Sequence, residues 1–258
     1  MVRTDLVVHA GGETAWAFRK GSPRLAEVVN AFVRTHRRGT LMGNVLFNRY
    51  LKSTHWAERA LSAEGRARFK DTAALFRRYA GEYGFPWLMV TAQAYQESRL
   101  DQTMRSPAGA IGVMQLLPST AADKNVDIDD IEDLEHNIHA GVKYLRFLYD
   151  RYFADADMDE LNKSLFAFAA YNAGPARIAR LRRKAKEMGF DPNIWFRNVE
   201  VVAAQDIGRE TVQYVSNIFK YYIAYRRSLA MEDARARPSM EEAGGGFDRA
   251  ATSDGPGR

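Results

Sequence analysis

The sequence predicts a mainly α protein: a helical domain preceded by a short α/β extension. From Gly65 to Tyr225, apolar residues recur at three- and four-residue spacing. Start and stop residues punctuate these segments, as at Ser22-Pro23, Gly84-Phe85-Pro86 and Gly174-Pro175. Strand-like runs, Leu6-Val7-Val8 and Ala15-Trp16-Ala17-Phe18, occur only near the N-terminus.

In chain order, Ser22 and Pro23 open a first helix with apolar residues at Leu25, Val28, Val29 and Phe32, and Gly39-Thr40-Leu41 starts another reaching Leu51. Residues 54–64 are polar and without clear period, which suits a linker. A helix from Gly65 to Tyr83 carries Phe69, Leu75, Phe76 and Tyr79 and stops at Gly84. Pro86 opens the next, and from Trp87 to Ser98 it is apolar or small on nearly every side, the pattern of a helix buried all round. A loop of small and turn-forming residues follows, Ser106 to Gly112, leading into Val113-Met114-Gln115-Leu116. Pro118-Ser119-Thr120 opens a short helix, Asn137 to Phe153 forms a long one with Val142, Leu145, Leu148 and Tyr149 on one stripe, and Asp159 to Asn172 reads as a central apolar helix. Pro175 starts a basic helix ending at Gly189, Ile194-Trp195-Phe196 forms an aromatic plug, and Thr211 to Tyr225 is the last helix. Residues 232–258, rich in Gly, Ser, Asp and Pro, read as a disordered tail.

The 258 residues suffice for one sizeable domain and a smaller piece, and 46% hydrophobic with 12% aromatic composition excludes wholesale disorder. The absence of cysteine removes disulfides, thiolate catalysis and zinc-thiolate sites together. A net charge of +5 favours anionic partners. The basic residues, however, are scattered among acidic ones, except in the run from Arg177 to Lys186, which reads as a solvated helix face rather than a nucleic-acid site. No stretch is apolar enough to span a bilayer, and no signal peptide opens the sequence. Asp123 to Asp129 fails as a calcium loop, because Ile128 stands where glycine is needed and Leu134 where a bidentate Glu is needed. His136 and His139 read as surface residues, and no metal or cofactor is expected.

The candidate catalytic residue is Glu97. At the C-terminal end of a buried helix a carboxylate is poorly solvated and faces the negative end of the helix dipole, and both raise its pKa. A carboxyl that keeps its proton near neutral pH suits general-acid cleavage of a glycosidic bond. Four pieces stand in order along the chain: Glu97-Ser98, Gly112-Val113-Met114-Gln115, Ala170-Tyr171-Asn172-Ala173-Gly174 and Glu210-Thr211-Val212-Gln213-Tyr214-Val215. Together, over Phe69 to Arg226, they resemble the SLT-type lytic transglycosylases, a lysozyme-like family. Residues 1–53, with Trp16-Ala17-Phe18-Arg19-Lys20-Gly21-Ser22, resemble the closing segment of a family 3 solute-binding domain.

The resemblance implies a catalytic domain over residues 54–231 and cleavage of peptidoglycan glycan strands between N-acetylmuramic acid and N-acetylglucosamine. One Glu serves as acid and then base, giving 1,6-anhydro ends. It further implies that Ser98 orients the Glu97 carboxyl or a substrate carbonyl, that Met114 and Gln115 border the sugar, and that Tyr171 and Asn172 face Glu97. Tyr214 is a weaker groove candidate, and Glu210 is structural. The expected setting is the periplasm, in association with the outer membrane, as a monomer. Two rivals stay open: a lysozyme-type hydrolase with Asp101 as second carboxylate, and a glycan- or ligand-binding module with little catalysis.

Overall fold

The structure, a computed structural model, describes residues 16–40, 43, 44, 47, 55–154 and 157–236, with the side chains of 55–57 and 235–236 excepted. The chain divides into two compact units, Met1–Thr54 and His55–Arg258. In the first, helix α1 (Pro23–His36) starts at Pro23 and buries none of its residues. Trp16 and Phe32 pack with ring centroids 5.9 Å apart, and Phe32 stacks on His36 at 4.0 Å. In the described part of the strand expected at 15–18, Trp16 to Phe18 have no regular structure. Leu6-Val7-Val8 and most of the helix expected up to Leu51 lie outside the described residues.

The second unit is built from α2 (His55–Ala60), α3 (Ala63–Glu82), α4 (Trp87–Ser98), α5 (Pro118–Ala121), α6 (Leu134–Tyr152), α7 (Glu160–Ala173), α8 (Pro175–Glu187), α9 (Glu200–Asp206) and α10 (Glu210–Ala236). The stretch read as a linker at 54–64 is in fact helical over His55–Ala60, and Ser62 caps α3 by accepting from the Gly65 N–H. Asp133 and Asp159 cap α6 and α7 in the same way, from the N–H groups of His136 and Asn162. The last helix overruns its expected end at Tyr225 and enters the segment read as disordered. Met231 to Ala236 are mostly good helix formers, so propagation costs little there.

Helix α4 is enclosed as its sequence demands: Met89 to Tyr95 are all buried. It is flanked by α3 and, along most of its length, by α10. The second central helix, α7, buries Ser164 to Ala170 without a break and packs on α6, α8 and α10. Phe76, Phe153, Phe166, Phe168 and Trp195 fill the space between them, each contributing about 1.5–3 kcal/mol. His139, read as a surface residue, stacks on Tyr79 at 4.3 Å and meets the Tyr83 hydroxyl at 2.9 Å.

Candidate active site

Glu97 sits in the last turn of α4. Helix α4 ends abruptly: Arg99 and Leu100 both take left-handed backbone, with φ 58° and 61°. Glu97 therefore stands at the edge of the core rather than within it. Burial lifts its carboxyl from the ordinary range to about 7, against an opposing pull from the Tyr214 hydroxyl, which donates to Oε1 at 2.5 Å. The two reach each other because α10 runs along α4. Tyr214 and Tyr171 are themselves pushed well up by burial and by the nearby Glu97 charge, so both remain protonated donors at neutral pH.

Glu97 opens on a cleft of about 340 Å³ lined by Gln96, Asn172, Glu210, Gln213, Tyr214 and Asn217. These are amides, carboxyls and a phenol, with no cation among them. Such a lining can hydrogen-bond hydroxyl and acetamido groups in many orientations. Asn172 is tied to α10 by accepting from the Thr211 hydroxyl at 2.8 Å, and Gln213 donates to Asn217 at 2.6 Å.

Of the residues singled out from the sequence, Glu97, Asn172 and Tyr214 line this cleft, whereas Ser98, Met114, Gln115 and Tyr171 are not among its lining residues. Ser98 does not hold the Glu97 carboxyl. It is buried, and its hydroxyl donates to the Val113 carbonyl at 2.8 Å, fastening the loop to α4. Residue 98 of a helix projects about 100° away from residue 97, so the two side chains serve different surfaces. Met114 does not border the cleft either: its side chain is fully buried and packs where Gly141 leaves room, within 2.6 Å of a hypothetical Cβ there. Gln115, at φ 46°, folds back to donate to the carbonyls of Gly112 at 2.8 Å and Met104 at 3.2 Å. Tyr171 donates to the Met114 carbonyl at 2.8 Å, so the direct phenol partner of Glu97 is Tyr214.

The loop is also held by two residues that the sequence did not single out. Asn137 is fully buried, accepts from the Met114 N–H at 2.8 Å and donates to the carbonyls of Ile111 at 3.0 Å and Ile131 at 2.9 Å. Gln102 accepts from the Val113 N–H at 3.0 Å and donates to the carbonyls of Ile131 and Glu132. The one available signal for Asn137 was a polar residue beside the apolar stripe of α6. Asp101, the candidate second carboxylate, is tied down elsewhere. It accepts from Thr103 Oγ1 at 2.6 Å and pairs with Arg68 at 3.2 Å, which hold its carboxyl below the usual range.

Residues 74–194 match the family described as Transglycosylase SLT domain. The membrane-bound lytic murein transglycosylase F of Desulfosudis oleivorans is 33% identical over 248 residues, covering 89% of this chain and 53% of that protein. Its namesake from Shewanella frigidimarina is 30% identical over 239 residues, covering 86% and 49%. The chain thus spans about half the length of these curated relatives. An inactive mutant of lytic transglycosylase Slt from Pseudomonas aeruginosa superposes with TM-score 0.50 at 23% identity, over 81% of this chain and 34% of that one, a likeness of fold.

Proposed function

We propose that this chain, whose residues 74–194 match the Transglycosylase SLT domain family, is a peptidoglycan lytic transglycosylase acting through Glu97. The observation that carries the reading is the Glu97 carboxyl opening on a polar cleft with the Tyr214 hydroxyl donating to it, where burial lifts it to about 7. A group titrating there is protonated often enough to act as acid and ionised often enough to act as base.

Protonated Glu97 gives its proton to the oxygen bridging N-acetylmuramic acid to N-acetylglucosamine, and the C1–O bond breaks. The carboxylate, held by Tyr214, then takes the proton of the muramic C6 hydroxyl as its oxygen closes on C1. One bond breaks, one forms, and Glu97 ends protonated as it began. The nucleophile is tethered within the same sugar, where effective molarity reaches about 10⁵ M in well-oriented cases, so no second carboxylate is required to activate water. Asp101, bound to Thr103 and Arg68, accords with this economy. The amides of Gln96, Asn172, Gln213 and Asn217 suit the N-acetyl and hydroxyl groups of the glycan.

The relatives' names, membrane-bound and murein-acting, support a periplasmic, envelope-associated setting for this chain. Among the described residues no helix is long and apolar enough to cross a membrane. The cleft draws its lining from α4, α7 and α10 of one chain, which suits a monomer. Digestion of purified sacculi tests the activity. The expected products carry 1,6-anhydromuramic ends, lighter by one water in mass spectrometry, whereas reducing muramic ends would make the protein a hydrolase.

A further inference from the structure

Gln93 is a fully buried amide on the most enclosed helix of the fold. It stands one turn before Glu97, and both side chains reach the same phenol. Gln93 Nε2 donates to the Tyr214 oxygen at 3.3 Å, and the Tyr214 hydroxyl donates to Glu97 Oε1 at 2.5 Å. The far end of the amide, Oε1, is buried without a hydrogen-bond partner among the described residues. An apolar side chain of the same length would avoid that orphaned oxygen.

We propose that Gln93 is a positioning residue for the catalytic carboxyl: by donating to the Tyr214 oxygen it commits the phenol's proton to Glu97 Oε1 and leaves the acid proton on Oε2.

Donor and acceptor counts require this. The phenol has a single proton and an oxygen that accepts. With the amide N–H groups facing it, Gln93 only gives, so the phenol's proton goes to Glu97. An amide turned about would accept that proton instead. The carboxyl would then spend its own proton on Tyr214, at Oε1, inside the contact and away from a substrate. The donated N–H also polarises the phenol and strengthens its bond to the carboxylate. That favours the ionised form and restrains the rise that burial imposes on Glu97. The titratable groups facing Glu97 are Tyr214 and Glu210 from α10 and Tyr171 from α7; α4 itself adds only the neutral Gln96. Both phenols stay protonated through the working range, and Glu210 is common to every variant below.

This inference deepens the functional reading above and rests on Glu97 as its acid, so the test reads Glu97 directly. Carbon-13 NMR titration of the Glu97 carboxyl in the full chain should place its midpoint about half a pH unit to one unit higher in Gln93→Met than in the unaltered protein. Tyr214→Phe should raise it at least as much, and adding Gln93→Met to Tyr214→Phe should raise it no further. In sacculus lysis the alkaline limb of the pH profile should move up with the midpoint in Gln93→Met. An unmoved midpoint in Gln93→Met, or equal shifts with and without the Tyr214 phenol, overturns the proposal and reduces Gln93 to packing. Should Gln93→Met fail to fold, Gln93→Leu takes its place, and an unmoved Glu97 midpoint there overturns the proposal. The expected shifts in a protein that leaves sacculi uncut would uphold the relay and sink the functional reading instead.

Discussion

At the scale of single residues, Glu97 is held between burial, which favours its neutral form, and Tyr214, which favours its charge. Burial wins, and two outcomes follow. Glu97→Gln keeps the size and hydrogen bonding of the side chain but cannot transfer a proton. Sacculus lysis should fall by ~10²–10⁴ or more, because one group works twice, while circular dichroism stays unchanged. The second outcome concerns stability. The folded pKa of about 7 exceeds the unfolded value of 4.5, so between those pH values the native state holds more protons. Stability attributable to Glu97 therefore falls as pH rises from about 4.5 through 7. Glu97→Gln abolishes that loss and should melt progressively higher than the unaltered protein as pH is raised from 4 to 8. The difference at pH 8 is on the order of 1–3 kcal/mol, the lower part allowing for partial exposure. A melting difference independent of pH would show that Glu97 is not raised. Asp101→Asn, by contrast, should reduce lysis by less than about tenfold, since it touches only a turn and a surface ion pair. Equal damage from both changes would favour a two-carboxylate hydrolase. Glu97 was legible because a carboxylate closes an apolar helix. Gln93 was not, since one amide among small and apolar neighbours carries no periodic signature.

At the scale of elements, helix positions followed closely from the sequence where apolar periodicity met a capping residue, as at Asp159 and Gly174, whereas α6 starts three residues before the expected Asn137 because its cap is Asp133. The segment from Ser106 to Leu116 was legible only as a turn-rich loop. Its shape comes from distant side chains, Ser98, Asn137 and Tyr171, whose partners are backbone atoms that local spacing cannot reveal. That is why Met114 and Ser98, marked by their company in the sequence, serve as braces rather than as cleft walls. Gly112 is the tightest point of the loop: φ is 76°, and a Cβ there would lie 2.5 Å from Asn137 Nδ2 and 2.6 Å from Gln102 Oε1. Gly112→Ala should cost about 1–3 kcal/mol of stability through backbone strain and displace both amides that hold the loop. Asn137→Ala leaves the Met114 N–H unpaired in the interior and takes one of two donors from each of the Ile111 and Ile131 carbonyls, and should cost about 1–3 kcal/mol. Urea unfolding measures both. A loss below about 0.5 kcal/mol in Asn137→Ala would mean that the loop does not depend on this clamp.

At the scale of the whole molecule, the division after Thr54 separates Met1–Thr54 from a unit that contains Glu97, Tyr214 and every residue of the cleft. The sequence places all four motifs after Gly65 and reads 54–64 as a linker. Residues 55–60 are helical, and Ala60 is fully buried in the main core. A cut after Thr54 should therefore leave an intact fold, whereas a cut after Glu64 removes α2 and the Ser62 cap of α3 together. Loss of a serine cap alone costs about 1 kcal/mol, and the exposed core around Ala60 adds to it. The chain lacking residues 1–54 should be soluble, keep the helical circular-dichroism signature of the second unit and cleave sacculi. The chain lacking residues 1–64 should melt several degrees lower. Complete loss of helical signal in the shorter deletion would mean that the first unit is required to complete the core of the second.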